Sequence, residues 1–304
     1  MGRMVVAFSP SHITGLFQIC DQSGDPLSKG SKGAGFSLTK GVKTTIHVQE
    51  SGQSSVEIKI NGDLTESAEV SKSVADAFLS LVEANYQIFV EHDVEVPIGC
   101  GLGSSGAGAL SLALALNEAL EVKLSVVEAA QIAHVAEVKC KTGLGTVIAE
   151  TFGGIEIRVK PGAPGVGKIK HVEVDDNYAV ACLCLGSIST KEALTDPEIR
   201  QAINKFGGAL LDKLVRKPQV NNFMQFSRRF AESVGLVSEK VRKVLTEADS
   251  RGFTCSMAMF GDTVFSLTKK DDVEELLQIF RKHAQSAEEV ISAEIDFDGA
   301  RILS

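Results

Sequence analysis

Pro97-Ile-Gly-Cys-Gly-Leu-Gly-Ser-Ser-Gly-Ala-Gly108 is the stretch that decides the fold of this 304-residue chain. Residues 86–96, which precede it, are rich in β-branched and aromatic types and partly alternate apolar with polar, which predicts a strand ending at Pro97. Residues 107–120, which follow it, carry leucine and alanine nearly all round, which predicts a buried helix. The stretch is therefore a loop that joins a strand to the N-terminus of a helix.

This loop is suited to binding an anion. Four of its residues are Gly99, Gly101, Gly103 and Gly106. Without Cβ atoms, these positions let the backbone wrap closely around a ligand. The first N–H groups of the helix lack intrahelical partners and carry partial positive charge, which favours a phosphate. Ser104 and Ser105 add hydroxyls that suit phosphate oxygens or a magnesium ion. A glycine-rich turn without a ligand is the alternative.

Two common phosphate loops do not fit this stretch. The P-loop is excluded because no Gly-Lys-Ser/Thr follows and the loop contains no lysine. Residues 101–106 match the dinucleotide pattern G-x-G-x-x-G, but that pattern needs a second strand ending in an acidic residue about twenty positions later. The acidic residue found there, Glu121, lies between two predicted helices.

Length and composition narrow the class of protein. A chain of 304 residues exceeds the usual single core, which favours two domains sharing a cleft. The net charge of −8 and the lack of tryptophan disfavour nucleic-acid binding. No long apolar run and no signal-peptide pattern occur, so we expect a soluble, cytoplasmic protein without membrane contact. The six cysteines have no zinc or C-x-x-C spacing and are expected to be reduced and structural.

The remainder of the first half predicts an antiparallel sheet and two helices. Residues 36–49 and 56–60 read as strands, preceded by a strand that enters a turn within 4–17 and by a cleft loop over 23–35. Capping pairs Ser73/Asp76 and Ser125/Glu128 predict helices that reach about residues 83 and 139. The second helix carries His134 and Glu137 on neighbouring faces, where spacing alone favours solvent exposure. A carboxylate facing bound phosphates is nevertheless what a magnesium ion needs.

The chain from residue 142 onward predicts a turn and a strand, followed by a mostly helical domain around one central strand. Residues 142–146 form a second glycine-rich turn, and 155–159 alternate as a strand. The continuous apolar run 178–185 predicts the central strand. The expected later elements are helices at 197–215, 222–233, 238–250 and 271–283, apolar runs within 254–268 hinged at Gly261-Asp262, and a closing hairpin over 290–303 with its turn at Asp298-Gly299.

The pattern P-x-x-x-G-L-G-S-S, from Pro97 to Ser105, closely resembles the ATP-binding motif of the GHMP kinases. The order of features resembles that superfamily over essentially the whole chain. Shorter stretches resemble the archaeal pantoate kinases in particular; they are 10–17, the Ser28 loop, 133–139, 142–145, 153–158 and 256–261. The resemblance implies a two-domain α+β fold of mixed and antiparallel sheets with helices. Its active site would lie in the cleft between an N-terminal ATP-binding domain (1–176) and a C-terminal domain (177–304), and a homodimer would suit the family.

The resemblance also implies an activity and site residues. ATP and Mg²⁺ would be the cofactors, and the γ-phosphoryl group would pass to the primary hydroxyl of pantoate, giving 4-phosphopantoate for coenzyme A synthesis. The implied ATP-binding residues are Pro97, Gly99, Gly101, Leu102, Gly103, Ser104, Ser105 and Gly106. Ser104 and Glu137 match the catalytic positions that hold the metal. Ser28, His134 and Arg158 match positions associated with pantoate, and an arginine fork suits a small carboxylate.

One position departs from the family pattern. Where the family has T-G-L-G-D, with an aspartate as the candidate base, this chain has Thr146, and threonine cannot accept a proton at neutral pH. Three explanations stay open: catalysis without a base, a weakened or inactive nucleotide-binding homologue, or another acidic residue in its place. Phosphoryl transfer depends mainly on positioning and electrostatics, so activity is compatible with the loss. A kinase for another small hydroxy acid or sugar is the alternative function.

Overall fold

The computed structural model describes residues 2–175 and 177–304, which form strands and helices in alternating groups. The strands are β1 (Arg3–Cys20), β2 (Gly30–Glu50), β3 (Ser55–Ile60), β4 (Asp63–Leu64), β5 (Tyr86–Val94), β6 (Ile155–Lys160), β7 (Lys168–His171), β8 (Tyr178–Ser187), β9 (Ser256–Met257), β10 (Gly261–Lys269), β11 (Val290–Ala293) and β12 (Arg301–Ile302). The helices are α1 (Glu69–Leu79), α2 (Ser104–Ala119), α3 (Val126–Cys140), α4 (Thr146–Phe152), α5 (Thr190–Thr195), α6 (Pro197–Arg216), α7 (Val220–Val234), α8 (Glu239–Ser250) and α9 (Val273–His283).

Two sheets organise these elements. The larger sheet has the order β12-β1-β2-β5-β3-β4, with β6 paired to β2 and β7 to β6. Its β3–β5 pair is parallel and its other pairs are antiparallel. The smaller sheet, β11-β8-β10-β9, is antiparallel and places β8 inside it, as the apolar run predicted. The predicted mixed α+β class is confirmed.

The helix after the glycine loop is buried, as its composition predicted. It begins at Ser104, three residues earlier than expected, because Gly103 takes a left-handed conformation (φ 71°) and turns the chain into the helix. Its leucines and alanines are covered by the large sheet and by α1 and α3. This packing fixes the helix N-terminus, and therefore the loop, against the sheet.

The two halves of the chain share a hydrophobic core. Phe36 of the large sheet lies 5.6 Å from Phe265 of β10 and 6.0 Å from Phe223 of α7, measured between ring centroids. The same core continues from β1 into α6, α8 and α9. The domain boundary expected between residues 176 and 177 stays a prediction, and residue 176 itself lies outside the described residues.

Several predicted boundaries were wrong. The first helix begins at Glu69 and not after Ser73, because Val70, Val74 and Phe78 bury one face at helical spacing and extend it upstream. The expected turn within 4–17 is absent from the described residues there. The strand β1 runs on to Cys20 along β2, with register shifts at Pro10/Ser11 and Thr14/Leu16.

Two further predictions about strands were wrong. The cleft loop ends at Lys29, because Gly33 and Gly35 belong to β2, where their missing side chains allow close packing of neighbouring strands. The closing hairpin does not form, because β11 pairs with β8 in the small sheet and β12 pairs with β1 in the large one. Each end finds a longer strand with a buried face to pair with. Within residues 2–175 and 177–304, no helix is long and apolar enough to cross a membrane.

His92 makes the stability of this fold pH-dependent. It lies buried in β5, with Nδ1 2.7 Å from Thr44 Oγ1 and Nε2 3.1 Å from Ser71 Oγ. Burial lowers its pKa from 6.5 to about 4, so the folded protein keeps it neutral while the unfolded chain binds a proton below pH 6.5. The stabilisation is complete above pH 6.5 and is lost as the pH falls towards 4.

We therefore predict a difference between the wild type and His92→Gln. From pH 7 to pH 5 the free energy of unfolding of the wild type should fall by about 2 kcal/mol more than that of the variant. Urea unfolding at the two pH values measures this difference. Equal falls would show that His92 is protonated in the folded state.

Candidate active site

A cavity of about 500 Å³ opens where the glycine loop faces the second half of the chain. Its lining residues are His12, Thr14, Phe17, Ser31, Ile98, Gly99, Gly101, Leu102, Gly103, Ser104, Ser105, Gly106, Glu137, Thr142, Gly143, Leu144, Gly145, Thr146, Arg158, Ser187, Ile188, Ser189, Thr190, Lys191, Leu194, Met259 and Phe260. Residues from both sides of the predicted domain boundary therefore meet here, as expected for a site in a cleft. A cavity of this size accommodates small-molecule ligands.

The glycine loop forms one wall with free backbone amides. Gly99, Gly101 and Gly103 all have positive φ (80°, 75° and 71°), and a Cβ at Gly101 would lie 2.8 Å from the carbonyl oxygen of Met259. The helix α2 begins at Ser104 without a side chain capping its first amides. These amides can therefore donate hydrogen bonds to an anion bound in the cavity, and the helix dipole favours its negative charge.

The predicted ATP-binding residues nearly all lie in this wall. Gly99, Gly101, Leu102, Gly103, Ser104, Ser105 and Gly106 line the cavity, whereas Pro97 does not. Pro97 is the first residue of the loop, and β5 ends before it, at Val94. The assignment of these residues to ATP stays a prediction.

Glu137 lies on the cavity side of α3. The predicted capping box at Ser125 and Glu128 is present and sets where this helix begins. Glu137 is only 2% exposed and accepts hydrogen bonds from Ser105 Oγ (2.6 Å) and Thr142 Oγ1 (2.7 Å). Burial raises the pKa of its carboxyl group. The expectation of solvent exposure from helical spacing was wrong, because α3 packs this face against α2 and the glycine loop.

His134 and Ser28 lie beside the cavity rather than in its lining. His134 is buried, and its Nε2 donates a hydrogen bond to the carbonyl oxygen of Lys29 at 3.0 Å. Burial lowers its pKa, which keeps it neutral. Ser28 Oγ donates to Asp25 Oδ2 at 2.8 Å within the preceding loop. Both residues thus shape the segment next to the site, and their contact with a substrate stays a prediction.

Arg158 lies in the floor of the cavity and is 1% exposed. Its Nη1 donates to Glu156 Oε1, its Nη2 lies 3.4 Å from Thr14 Oγ1, and its buried Nε has no partner among the described residues. Arg158 does not lie on an exposed strand edge, because β6 is flanked by β2 and β7. A buried guanidinium with a free N–H can bind an anionic group.

Sequence reasoning did not single out the residues around Arg158. His12 Nε2 donates to the Glu156 carboxylate at 3.1 Å, and burial lowers the pKa of His12. A Cβ at Gly35 would lie 2.5 Å from His12 Nε2, and one at Gly33 would lie 2.6 Å from Arg158 Nη2. Two glycines inside one strand were the available signal, since glycine in a strand often marks close approach of a neighbour.

Thr146 is the first residue of α4 and lines the cavity opposite the glycine loop. A Cβ placed on Gly106 would lie 2.9 Å from Thr146 Oγ1, and one on Gly143 would lie 3.1 Å from it. The position at which the resemblance implies an aspartate therefore faces the start of α2. Its hydroxyl is within reach of a group bound in the cavity.

Comparison with known proteins identifies the class. Residues 69–154 match the model of the GHMP kinases N terminal domain, and residues 199–286 match that of the GHMP kinases C terminal domain. The chain belongs to the GHMP kinases, which are ATP-dependent phosphotransferases acting on small molecules. The predicted two-domain GHMP kinase fold is confirmed.

Individual GHMP kinases and solved structures are similar to the chain over most of its length. The chain is 36% identical to the pantoate kinase of Methanocaldococcus jannaschii over 276 residues, which cover 90% of this chain and 96% of the relative. It is also 36% identical to the pantoate kinase of Thermococcus kodakarensis, with 91% of each chain covered. A solved phosphotransferase related to the CoA biosynthesis pathway is 31% identical, with a TM-score of 0.87 over 99% of this chain and 98% of that one. Mevalonate diphosphate decarboxylase from Staphylococcus aureus, at 14% identity and TM-score 0.75 over 100% and 99%, shares the fold.

Proposed function

We propose that this protein is a pantoate kinase, which transfers the γ-phosphoryl group of ATP to the primary hydroxyl of pantoate and yields 4-phosphopantoate. The observation that carries the proposal is the position of Arg158. Its unpaired Nε is buried in the floor of the same cavity that holds the phosphate loop. A small acceptor with a carboxylate at one end and a hydroxyl at the other would fit between them. The relatives support the same acceptor.

The residues at one end of the cavity bind phosphate, and those at the other end bind the acceptor. At one end, the amides that begin α2 bind and orient phosphate oxygens, and Ser104 and Ser105 add hydroxyl donors. At the other end, Arg158 binds the carboxylate of the acceptor. His12 and Glu156 hold the guanidinium in place through the bonds described above. Holding both partners in line is the main contribution a protein makes to phosphoryl transfer.

The residues present fit a magnesium ion that is held mainly by the nucleotide. The described residues contain no cluster of three His, Cys, Asp or Glu side chains that could hold a metal by themselves. Mg²⁺ is ordinarily bound by one or two carboxylates together with substrate phosphates and water. Glu137 supplies one such carboxylate at the cavity wall, and Ser104 supplies a hydroxyl. When bound, the ion neutralises charge that develops on the phosphates.

An acceptor panel tests the proposal. Purified protein with ATP and Mg²⁺ should release ADP with pantoate at a kcat/KM well above that with mevalonate, homoserine or shikimate. We expect this preference because Arg158 and the glycine loop together determine how far the bound carboxylate lies from the reacting hydroxyl. Equal or absent turnover with pantoate would contradict the acceptor, and a better acceptor in the panel would replace it. We place the enzyme in the cytoplasm, where ATP is available, and expect a homodimer.

Thr146 supports a second candidate function, that of a catalytically impaired nucleotide-binding homologue. Restoring the family residue with Thr146→Asp separates the two. A large gain in ADP release would indicate an enzyme disabled by the threonine. Good wild-type turnover without a gain would indicate that this chain works without an aspartate at position 146.

A further inference from the structure

Glu150 is a buried acidic residue next to the site that has no assigned role. It lies in α4, four residues after Thr146, so both side chains project from the same face of the helix. It is fully buried, and neither carboxyl oxygen has a hydrogen-bond partner among the described residues. Buried polar atoms are almost always paired, so an unpaired carboxyl group in this position calls for an explanation.

The Glu150 carboxyl group points at the start of α2. A Cβ at Gly103 would lie 2.8 Å from Glu150 Oε1, and a Cβ at Gly106 would lie 2.7 Å from Glu150 Oε2. The same Gly106 position is 2.9 Å from Thr146 Oγ1. The carboxyl group of Glu150 and the hydroxyl of Thr146 therefore both lie beside Gly106, which has no side chain to separate them, although no hydrogen bond joins them in this structure.

The two residues differ in their access to the cavity. Thr146 belongs to the lining, and Glu150 lies behind it. Glu150 can therefore reach a bound acceptor only through Thr146. Burial, with the nearby Glu137 and Glu156 carboxylates, raises the pKa of Glu150 well above its usual range. Both the acid and the carboxylate keep an acceptor oxygen, so a hydrogen bond from a hydroxyl does not depend on the charge.

Resting on the proposed kinase function, we propose that Glu150 is a positioning residue. When an acceptor is bound, the Thr146 side chain rotates so that its hydroxyl donates to the Glu150 carboxyl group, which turns the lone pairs of that oxygen toward the acceptor hydroxyl. Thr146 and Glu150 together then orient the acceptor, as one aspartate would at position 146. Three explanations for the missing aspartate at position 146 were left open. This proposal supports the third, in which another acidic residue takes its place, and it identifies that residue as Glu150.

Glu150→Met tests the role, because methionine is similar in length, flexible and unable to accept a strong hydrogen bond. We expect kcat to fall by about ten- to 100-fold, since loss of alignment carries costs of this order. We also expect Tm to rise, since an unpaired buried carboxyl group is removed. Glu150→Gln keeps an acceptor oxygen and should lose much less activity. Thr146→Val should lower kcat to a similar extent, and Thr146→Val/Glu150→Met should be no worse than either single variant.

The double variant Thr146→Asp/Glu150→Met provides the rescue. If Glu150 acts through Thr146, an aspartate at position 146 reaches the acceptor directly, and kcat should recover from the level of Glu150→Met. Unchanged kcat in Glu150→Met, a fall in its Tm together with its kcat, or no recovery in the double variant would each overturn the proposal. All variants are compared with the acceptor that the wild type uses best. A wild type that prefers an acceptor other than pantoate contradicts the proposed substrate and leaves this comparison intact.

Discussion

Glu137→Gln is expected to lower kcat with ATP and pantoate by about 100- to 1,000-fold, the usual cost of removing one electrostatic group aimed at a transferring phosphoryl. The amide oxygen of glutamine can still accept the hydrogen bonds from Ser105 and Thr142, so the local packing survives. The negative charge that Mg²⁺ requires is lost. Burial already disfavours the ionised form of Glu137, so the neutral amide should leave Tm unchanged or slightly raised. Steady-state kinetics across a range of Mg²⁺ concentrations, with thermal unfolding of the same samples, measures both quantities.

A matched control is available on the same helix. Glu128 is exposed, lies in the capping box at the start of α3 and is absent from the cavity lining. Glu128→Gln keeps the capping pattern and should leave kcat and its dependence on Mg²⁺ unchanged. If Glu137→Gln instead lost stability in proportion to rate, Glu137 would be a structural residue.

Local sequence signals predicted the parts of the site that local structure builds. The glycine loop, the buried helix after it and the capping box at Ser125 all depend on residues within a few positions of one another. Backbone conformation and helix capping act over that range, so one sequence is enough to predict them. The central strand β8 was predicted for the same reason, from a continuous apolar run.

Burial of charged residues could not be predicted in the same way. Helical spacing alone favoured solvent exposure for Glu137, and no local pattern indicates that Arg158 is buried, yet both residues are almost completely buried. Their burial results from tertiary contacts, namely the pairing of β2 with β6, which are far apart in the chain, and the packing of α3 against α2. The role of Glu150 was not predicted, because nothing in the sequence indicates that α4 places it beside Gly103 and Gly106.

Arg158→Met is the second change with a large expected effect. Removal of the guanidinium leaves the buried Glu156 carboxylate with His12 as its one remaining partner among the described residues. Loss of one member of a buried ion pair costs about 3–5 kcal/mol of stability. The carboxylate of pantoate loses its charge-assisted hydrogen bonds, so KM for pantoate should rise by about 100-fold. Urea unfolding and steady-state kinetics with pantoate and with pantoamide, its uncharged amide, measure the two effects separately.

The double variant Arg158→Met/Glu156→Gln distinguishes substrate binding from folding. It removes both charges of the buried pair, so most of the lost stability should return. Nothing in it restores an anion partner in the cavity, so KM for pantoate should stay high. The preference of the wild type for pantoate over pantoamide should disappear in both variants, because that preference depends on a positive charge facing the carboxylate. If KM recovered together with stability in the double variant, Arg158 would serve the fold, and the carboxylate would have to bind elsewhere in the cavity.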